Sequence, residues 1–495
     1  MNIRKLLTRL VSLALIAVFL PTVAMADTWY LEDGSITVSA TKSGQNVSQG
    51  GVTKEDSAPV IRNRDSSAST TNNVTIRADT GATANVTLED TNIDTTGGAG
   101  PNGAGDAAVR TEGGGNVNLN VELDNTLQSG NTRAGVEKGN GGNLTIGSES
   151  GSGQLVATGG DGGAGIGGGE NTGAENITIT GGDIFAIGNG GGAGIGGGWD
   201  CSASDITITG GNVTAVGKQD DPGRIGGAGI GGGGSQTSNA GSGTNIKITG
   251  GRVTAVGGNY SAGIGGGYGS NGENITISDA EVIAIGGTGS AGIGGGNGGG
   301  EGKNISISGS ANVKAAGGVG DSMDGAGAAI GAGGSHQGTT LVDAQEGDVD
   351  TSGLSPDGSV ERLDPGTTFD IPQPKPRSSF LTASAEPQPV KAALYRVIDE
   401  TGKALPVETK QEDGVLLLTA QADIAILEGA VSGLQTLQGR GIDTITFTNG
   451  TISVSFSLAE VIAKGASSDV YRLTLSGGEA NFTLADADIT ALLGK

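Results

Sequence analysis

The chain is short of most of what an enzyme core uses. It has one cysteine and one histidine in 495 residues, and its aromatic residues number only 2 Trp, 5 Tyr and 7 Phe. A single Cys201 excludes an internal disulfide, and a single His336 speaks against a histidine triad or a histidine-rich metal site. Beyond residue 20 there is no long apolar run, so no membrane-spanning body is expected. Positive charge is also scarce, with 28 Lys and Arg against 52 Asp and Glu and a formal net charge of -24. Such a surface repels nucleic acid and anionic lipid.

What the chain has instead is glycine, 99 residues or one in five, without the strict three-residue register of collagen. Residues 1–26 read as an export leader. Arg4, Lys5 and Arg9 precede the apolar stretch Leu10 to Leu20, and Ala24-Met25-Ala26 is a small-x-small cleavage signal before Asp27. The mature chain is therefore expected outside the cell, secreted or surface-associated, with a net charge of -27 once three cations have left with the leader.

Glycine is organised by repeats. Ala164-Gly165-Ile166-Gly167-Gly168-Gly169 recurs at Ala193, Ala228, Ala262 and Ala291, and in degraded form at Ala328, at spacings of 29, 35, 34, 29 and 37 residues. A second phrase, Asn176-Ile177-Thr178-Ile179-Thr180-Gly181-Gly182, returns from Asp205, Asn245, Asn274 and Asn304, and each copy is followed by an apolar segment such as Ile184 to Ile187 or Val213 to Val216. Three short strands in about 29 residues cannot bury a face alone, but stacked units align Ile on Ile and Val on Val. The expected fold is mainly β, a parallel β-helix or β-solenoid with three short strands per coil. Ile177 and Ile179 should point inward and Thr178 and Thr180 outward. The leading Asn residues should stack as an amide ladder at a corner, where Asn tolerates left-handed backbone.

Residues 27–140 carry the same grammar with less glycine and read as irregular N-terminal coils with a cap at Trp29-Tyr30-Leu31. Residues 141–350 form the glycine-rich repeat, and 351–391, which hold Pro372, Pro374 and Pro376, read as a stiff, extended linker. From 392 to 495 the pattern changes to a small α+β module. There Ile424, Leu427, Val431, Leu434 and Leu437 fall at helical spacing, Asn449-Gly450 signals a hairpin, and Ser457-x-x-Glu460 reads as a capping box. A shift of 28 residues lays Asn449-Gly450 on Gly477-Gly478, which suggests a duplicated hairpin-helix unit.

Chemistry is harder to find. The glycine phrase has no Gly-Lys-Ser/Thr and repeats on every coil, so it is punctuation and not a phosphate loop. Asp220 and Asp221, beside Arg224 in an inserted loop, are the weak candidates for a metal or catalytic carboxylate pair, against the plainer reading of solvated loop charge. The outward Thr ranks, Thr178-x-Thr180 and Thr207-x-Thr209, are accounted for by β-propensity. Trp199 and Tyr268 each follow an Ala-Gly-Ile-Gly-Gly-Gly phrase and so share a coil position two units apart, ~10 Å along the axis at ~4.8 Å per coil. Two such rings suit stacking on sugar faces, with Asp200 and Asn271 as polar partners, or they simply cover a corner.

These phrases, with the opening Trp29-Tyr30-Leu31-Glu32-Asp33-Gly34-Ser35-Ile36, resemble the secreted, Gly-rich, carbohydrate-binding-domain surface proteins of Gram-positive bacteria over roughly residues 27–350. The resemblance implies a right-handed, pectate-lyase-like parallel β-helix that binds acidic polysaccharide without cleaving it, with Ca2+ in some relatives. The expectation is a non-catalytic solenoid whose partner is a polysaccharide or cell-surface glycan, with a protein partner for the C-terminal module. The alternatives are a β-helix polysaccharide lyase or hydrolase and a purely structural surface spacer.

Overall fold

The computed structural model describes residues 27–97, 105–218, 225–236, 240–322, 324–337 and 340–375, and most of 395–494 outside 401–404, 406, 413, 421, 440–441, 466–468, 477 and 486. The expected leader and the Asp220-Asp221 loop lie outside these residues. The chain divides into two units, Met1–Phe380 and Leu381–Lys495.

In the first unit each glycine-rich coil visits three parallel sheets in turn. Ile166–Gly167 lies in one, Ala174–Ile179 in the next, Asp183–Gly188 in the third, and Ile195–Gly196 returns to the first one coil later. Among the described residues the Ile-Gly sheet holds 12 strands, the Ile-Thr-Ile sheet 11 and the Val-Thr-Ala sheet 9. Alternation fixes which side chain goes in. Ile179, Ile208, Ile248, Ile277 and Ile307 pair coil on coil and are fully buried, as are Ile166, Ile195, Ile230, Ile264, Ile293 and Ile330 in the Ile-Gly sheet. Each such side chain contributes ~1.5–3 kcal/mol from water exclusion. Thr178 is half-buried and Thr180 exposed, on the outer side.

The corners follow from backbone chemistry. Asn176, Asp205, Asn245, Asn274 and Asn304 all sit at φ between 52° and 60°, a left-handed region that Asn and Asp tolerate best after glycine. Their side chains form the expected ladder: Asn304 Nδ2 donates to Asn274 Oδ1 at 3.0 Å, Asn274 to Asn245 at 3.0 Å and Asn245 to Asp205 at 3.1 Å. At the Ile-Gly strands the coil closes on itself, the N–H of Ala262 bonding the carbonyl of Gly266 at 2.9 Å and that of Ala193 bonding Gly197 at 2.9 Å. Gly265 there has φ 137°, and a Cβ on it would overlap the carbonyl oxygen of Gly294 in the next coil. That close approach is what the repeated glycine provides.

Both ends of the stack are closed. The antiparallel strands Ile36–Thr41, Gly44–Gln49 and Val52–Glu55 cover the first, where Leu31 is fully buried and Trp29 Nε1 donates to Asp56 Oδ2 at 2.9 Å. At the other, the Glu346 carboxylate accepts from Ala329 and Ile330 N–H at 2.6 and 3.1 Å, occupying edge donors that would otherwise invite another strand. The backbone of His336 lies in a short antiparallel strand, Ser335–Gln337, paired with Thr340–Val342.

The linker differs from expectation. It does not begin at 351, because Ser359–Leu363 pairs in parallel with Asn312–Ala316 as one more strand of the solenoid. Residues 364–375 then lie back against the same sheet, and the linker beyond 375 falls outside the described residues up to 394.

The second unit is a pair of sheets, five- and four-stranded among the described residues, with helices α1 (Val431–Gly439) and α2 (Leu458–Ile462). Its core centres on Phe456, Tyr471 and Phe482, with Phe456 and Phe482 ring centroids 4.7 Å apart. The helical reading of Ile424 and Leu427 is corrected: both lie on the strand Ile424–Ala430, and α1 starts only at Val431. Ala425, Ile426 and Leu427 are buried in succession, and a strand covered on both faces loses the alternation that would have identified it. The hairpin at Asn449-Gly450 forms, but Ser457 at the head of α2 makes no side-chain cap bond. The second hairpin leads into Ala487–Asp488 and one 3-10 turn, Thr490–Leu492, where the duplication predicts a helix. No helix among the described residues is long and apolar enough to cross a membrane.

Candidate functional site

Most glycine-rich coils carry two corner positions that meet. The first lies two residues before the Ala-Gly-Ile-Gly-Gly-Gly phrase, the second directly after it. The second position donates its N–H to the first position of the preceding coil: Trp199 to Gly162 at 2.9 Å, Gly234 to Gly191 at 2.7 Å, Asn297 to Tyr260 at 3.2 Å and Gly334 to Gly289 at 2.7 Å. That bond holds the first position left-handed, with φ 81° at Gly162, 105° at Gly191, 65° at Tyr260 and 65° at Gly289, and 67° at Thr132 one coil earlier.

Trp199 and Tyr268 therefore do share a register, two coils apart, with the side-chain-free Gly234 between them. The half-buried Trp199 ring lies on Gly191, where any Cβ would overlap it. Tyr268 is also half-buried and meets a ring that sequence reasoning missed. Tyr260 stands edge-on to it, with centroids 6.1 Å apart and an interplanar angle of 78°. The aromatic pair of this corner is thus Tyr260 with Tyr268, and Trp199 forms a separate ledge.

The Tyr260 hydroxyl donates to Asp321 Oδ2 at 2.7 Å across 61 residues of chain. Asp321 is itself fixed by Asp324, whose N–H donates to Asp321 Oδ1 at 3.0 Å. Both acids belong to the loop that lengthens the last repeat to 37 residues. Burial first, and then the bond to Asp321 with the nearby Asp321 and Asp324 charges, push the Tyr260 hydroxyl up to about 12. One coil further, Asn297 is fully buried, and neither amide atom has a hydrogen-bond partner among the described residues. Its amide rests against Gly289, where a Cβ would overlap it.

Asp200 is exposed at the end of the Trp199 ledge, with its N–H on the Gly234 carbonyl at 2.9 Å. Asn271 is spent inside the protein. Its Nδ2 donates to Glu273 Oε1 at 2.9 Å and its Oδ1 accepts from Glu301 N–H at 2.8 Å, which bridges two coils. Cys201 is half-buried, and burial followed by the Asp200 charge pushes its thiol up, away from the reactive thiolate. No group of three or more metal-type side chains occurs among the described residues.

Elsewhere two perturbed ionisable residues are neighbours on the strand Val136–Lys138. Burial raises Glu137 against the opposing pull of Arg133 and Arg110, and burial lowers Lys138 to about 8. Strand alternation puts the two on opposite faces, so they do not form one acid-base unit.

Four segments, 177–199, 206–234, 246–268 and 275–297, match the family model described as Beta helix repeat. The matched segments end on Trp199, Gly234, Tyr268 and Asn297, so the ring-bearing corner is the last position of each unit. No curated protein and no solved structure matches the chain. The coils are similar to Beta helix repeats, and the fold they build is a parallel β-solenoid.

Proposed function

We propose that this chain is an exported, non-catalytic β-solenoid that binds glycan at the Tyr260, Tyr268 and Asp321 corner, with Trp199 and Asp200 as a second contact two coils away. The observation that carries the reading is Tyr260. It occupies a left-handed position that most neighbouring coils fill with glycine, at a strain of about 1–2 kcal/mol for a residue bearing a Cβ. A bulky ring kept at such a site is retained for what it presents. Tyrosine faces and a fixed carboxylate are the groups that stack on a pyranose ring and accept from its hydroxyls. Asn271 is left out of the binding set, because its amide ties two stacked coils together through Glu273 and Glu301.

A pull-down of the mature chain on soluble and insoluble polysaccharides, with and without Ca2+, tests this. Binding should fall at least tenfold in Tyr260→Gly/Tyr268→Ala. Binding that the double substitution leaves intact overturns the corner, and unsaturated or reducing-end products would turn the reading to a lyase or hydrolase.

A further inference from the structure

Past its last strand, Ser359–Leu363, the chain turns at Asp364 to Thr367 and runs back along the outer side of the Val-Thr-Ala sheet, towards earlier coils. It is held at three places. Gly366 N–H bonds the Gly317 carbonyl at 2.9 Å. The half-buried Phe369 lies beside Glu281, Val282, Ile283, Asn312, Lys314 and Ser359, with which it lines one small pocket. Lys375 is read twice: the Gln154 side chain accepts from its backbone N–H at 2.8 Å and donates to its carbonyl at 3.2 Å, while Lys375 Nζ donates to Asp183 Oδ2 at 2.6 Å. Gln154 and Asp183 are register partners on adjacent strands, so one coil reads the backbone and the next reads the charge.

The span fits. From the strand of Glu281 to that of Gln154 are four sheet steps, ~19 Å at ~4.8 Å each, and six residues of extended proline-rich chain from Phe369 to Lys375 cover the same ~19 Å at ~3.1 Å each. The path crosses strands whose outer residues are covered. Phe185, Thr214 and Thr254 alternate with core residues, yet are only 9%, 6% and 2% exposed. Gln154 is 3% exposed with the segment in place.

We infer that the outer side of this sheet is a peptide-binding surface whose resident ligand is the chain's own segment 366–375, held as a latch. It selects an extended, proline-rich peptide by an aromatic laid beside Glu281, Asn312 and Lys314, a backbone amide on Gln154 and an ammonium on Asp183. The latch carries the chain from the last coil back to the coil of Gln154.

The test uses the full chain and hydrogen exchange of a peptic fragment covering 366–375, compared between wild type and Phe369→Ala/Lys375→Ala. Both substitutions lie outside the coils, and an unchanged melting temperature confirms that the coils persist. Wild-type exchange should be at least tenfold slower than in the double variant. A labelled synthetic peptide of residues 366–376 should bind the double variant, and bind it less when Gln154→Ala is added. Wild-type exchange at the rate of an unprotected chain, equal exchange in the two proteins, or peptide binding indifferent to Gln154→Ala would overturn the proposal.

Discussion

Tyr260 stands edge-on to Tyr268 on a backbone that Gly162, Gly191 and Gly289 adopt without a side chain. Glycine at this place relieves the strain and deletes the ring, whereas alanine deletes the ring and keeps the strain. Tyr260→Gly should therefore stay within about 1 kcal/mol of wild type, and Tyr260→Ala should lose ~2 kcal/mol. Urea melts of the two variants check this; equal stabilities would show that the left-handed position carries no strain.

Tyr260 also leaves an alkaline signature. Its raised hydroxyl stabilises the fold fully below the ordinary tyrosine range, near pH 10, and that stabilisation is lost as the pH rises through about 12. Absorbance titration at 295 nm should lose a component near pH 12 in Tyr260→Phe. If the component that disappears titrates near pH 10 instead, Asp321 does not hold the hydroxyl.

The close approach between Ile-Gly strands makes their glycines unequal to others. A Cβ on Gly265 overlaps the backbone of the next coil, while one on Gly51, also left-handed at φ 82°, meets nothing within 4 Å. We expect Gly265→Ala to cost ~4 kcal/mol or more and Gly51→Ala ~1 kcal/mol. Thermal melting separates the two. Similar losses would mean that coil spacing yields freely to a methyl group.

The amide ladder offers a third comparison. Asn274 gives one hydrogen bond to Asn245 and takes one from Asn304, at φ 56°. Asn274→Gly loses the bonds alone, about 1 kcal/mol for an exposed pair, and Asn274→Ala loses the bonds and adds left-handed strain, about 2 kcal/mol. A glycine variant less stable than the alanine variant would contradict the ladder's conformational basis.

The solenoid was legible because its logic is local and repeated: each Ile faces inward by alternation, and each Asn marks a corner by its tolerance of positive φ. Even the shared register of Trp199 and Tyr268 could be counted off the repeats. Tyr260 was not, since its partner Asp321 comes from an inserted loop two coils away, and repeat counting carries no information on where an insertion folds. Asn271 looked like a free ligand because its two bonds, to Glu273 and Glu301, depend on coil stacking. The proline run suggests an extended chain, but composition says nothing of the sheet that residues 366–375 lie on. Ile424 and Leu427 misled for the reason that a doubly covered strand and a helix share an apolar spacing.

The Gln154 and Asp183 contacts to Lys375 also bear on how the molecule takes load. A pull on the chain beyond Lys375 reaches this clamp before it reaches the coils, because residues 364–375 double back from the last strand. Opening the clamp and then the Phe369 and Gly366 contacts releases residues 364–375, 12 residues and about 40 Å of slack at full extension, while every hydrogen bond between coils stays intact. The latch then works as a mechanical fuse with a stored length, sparing the terminal coil from being peeled off the stack.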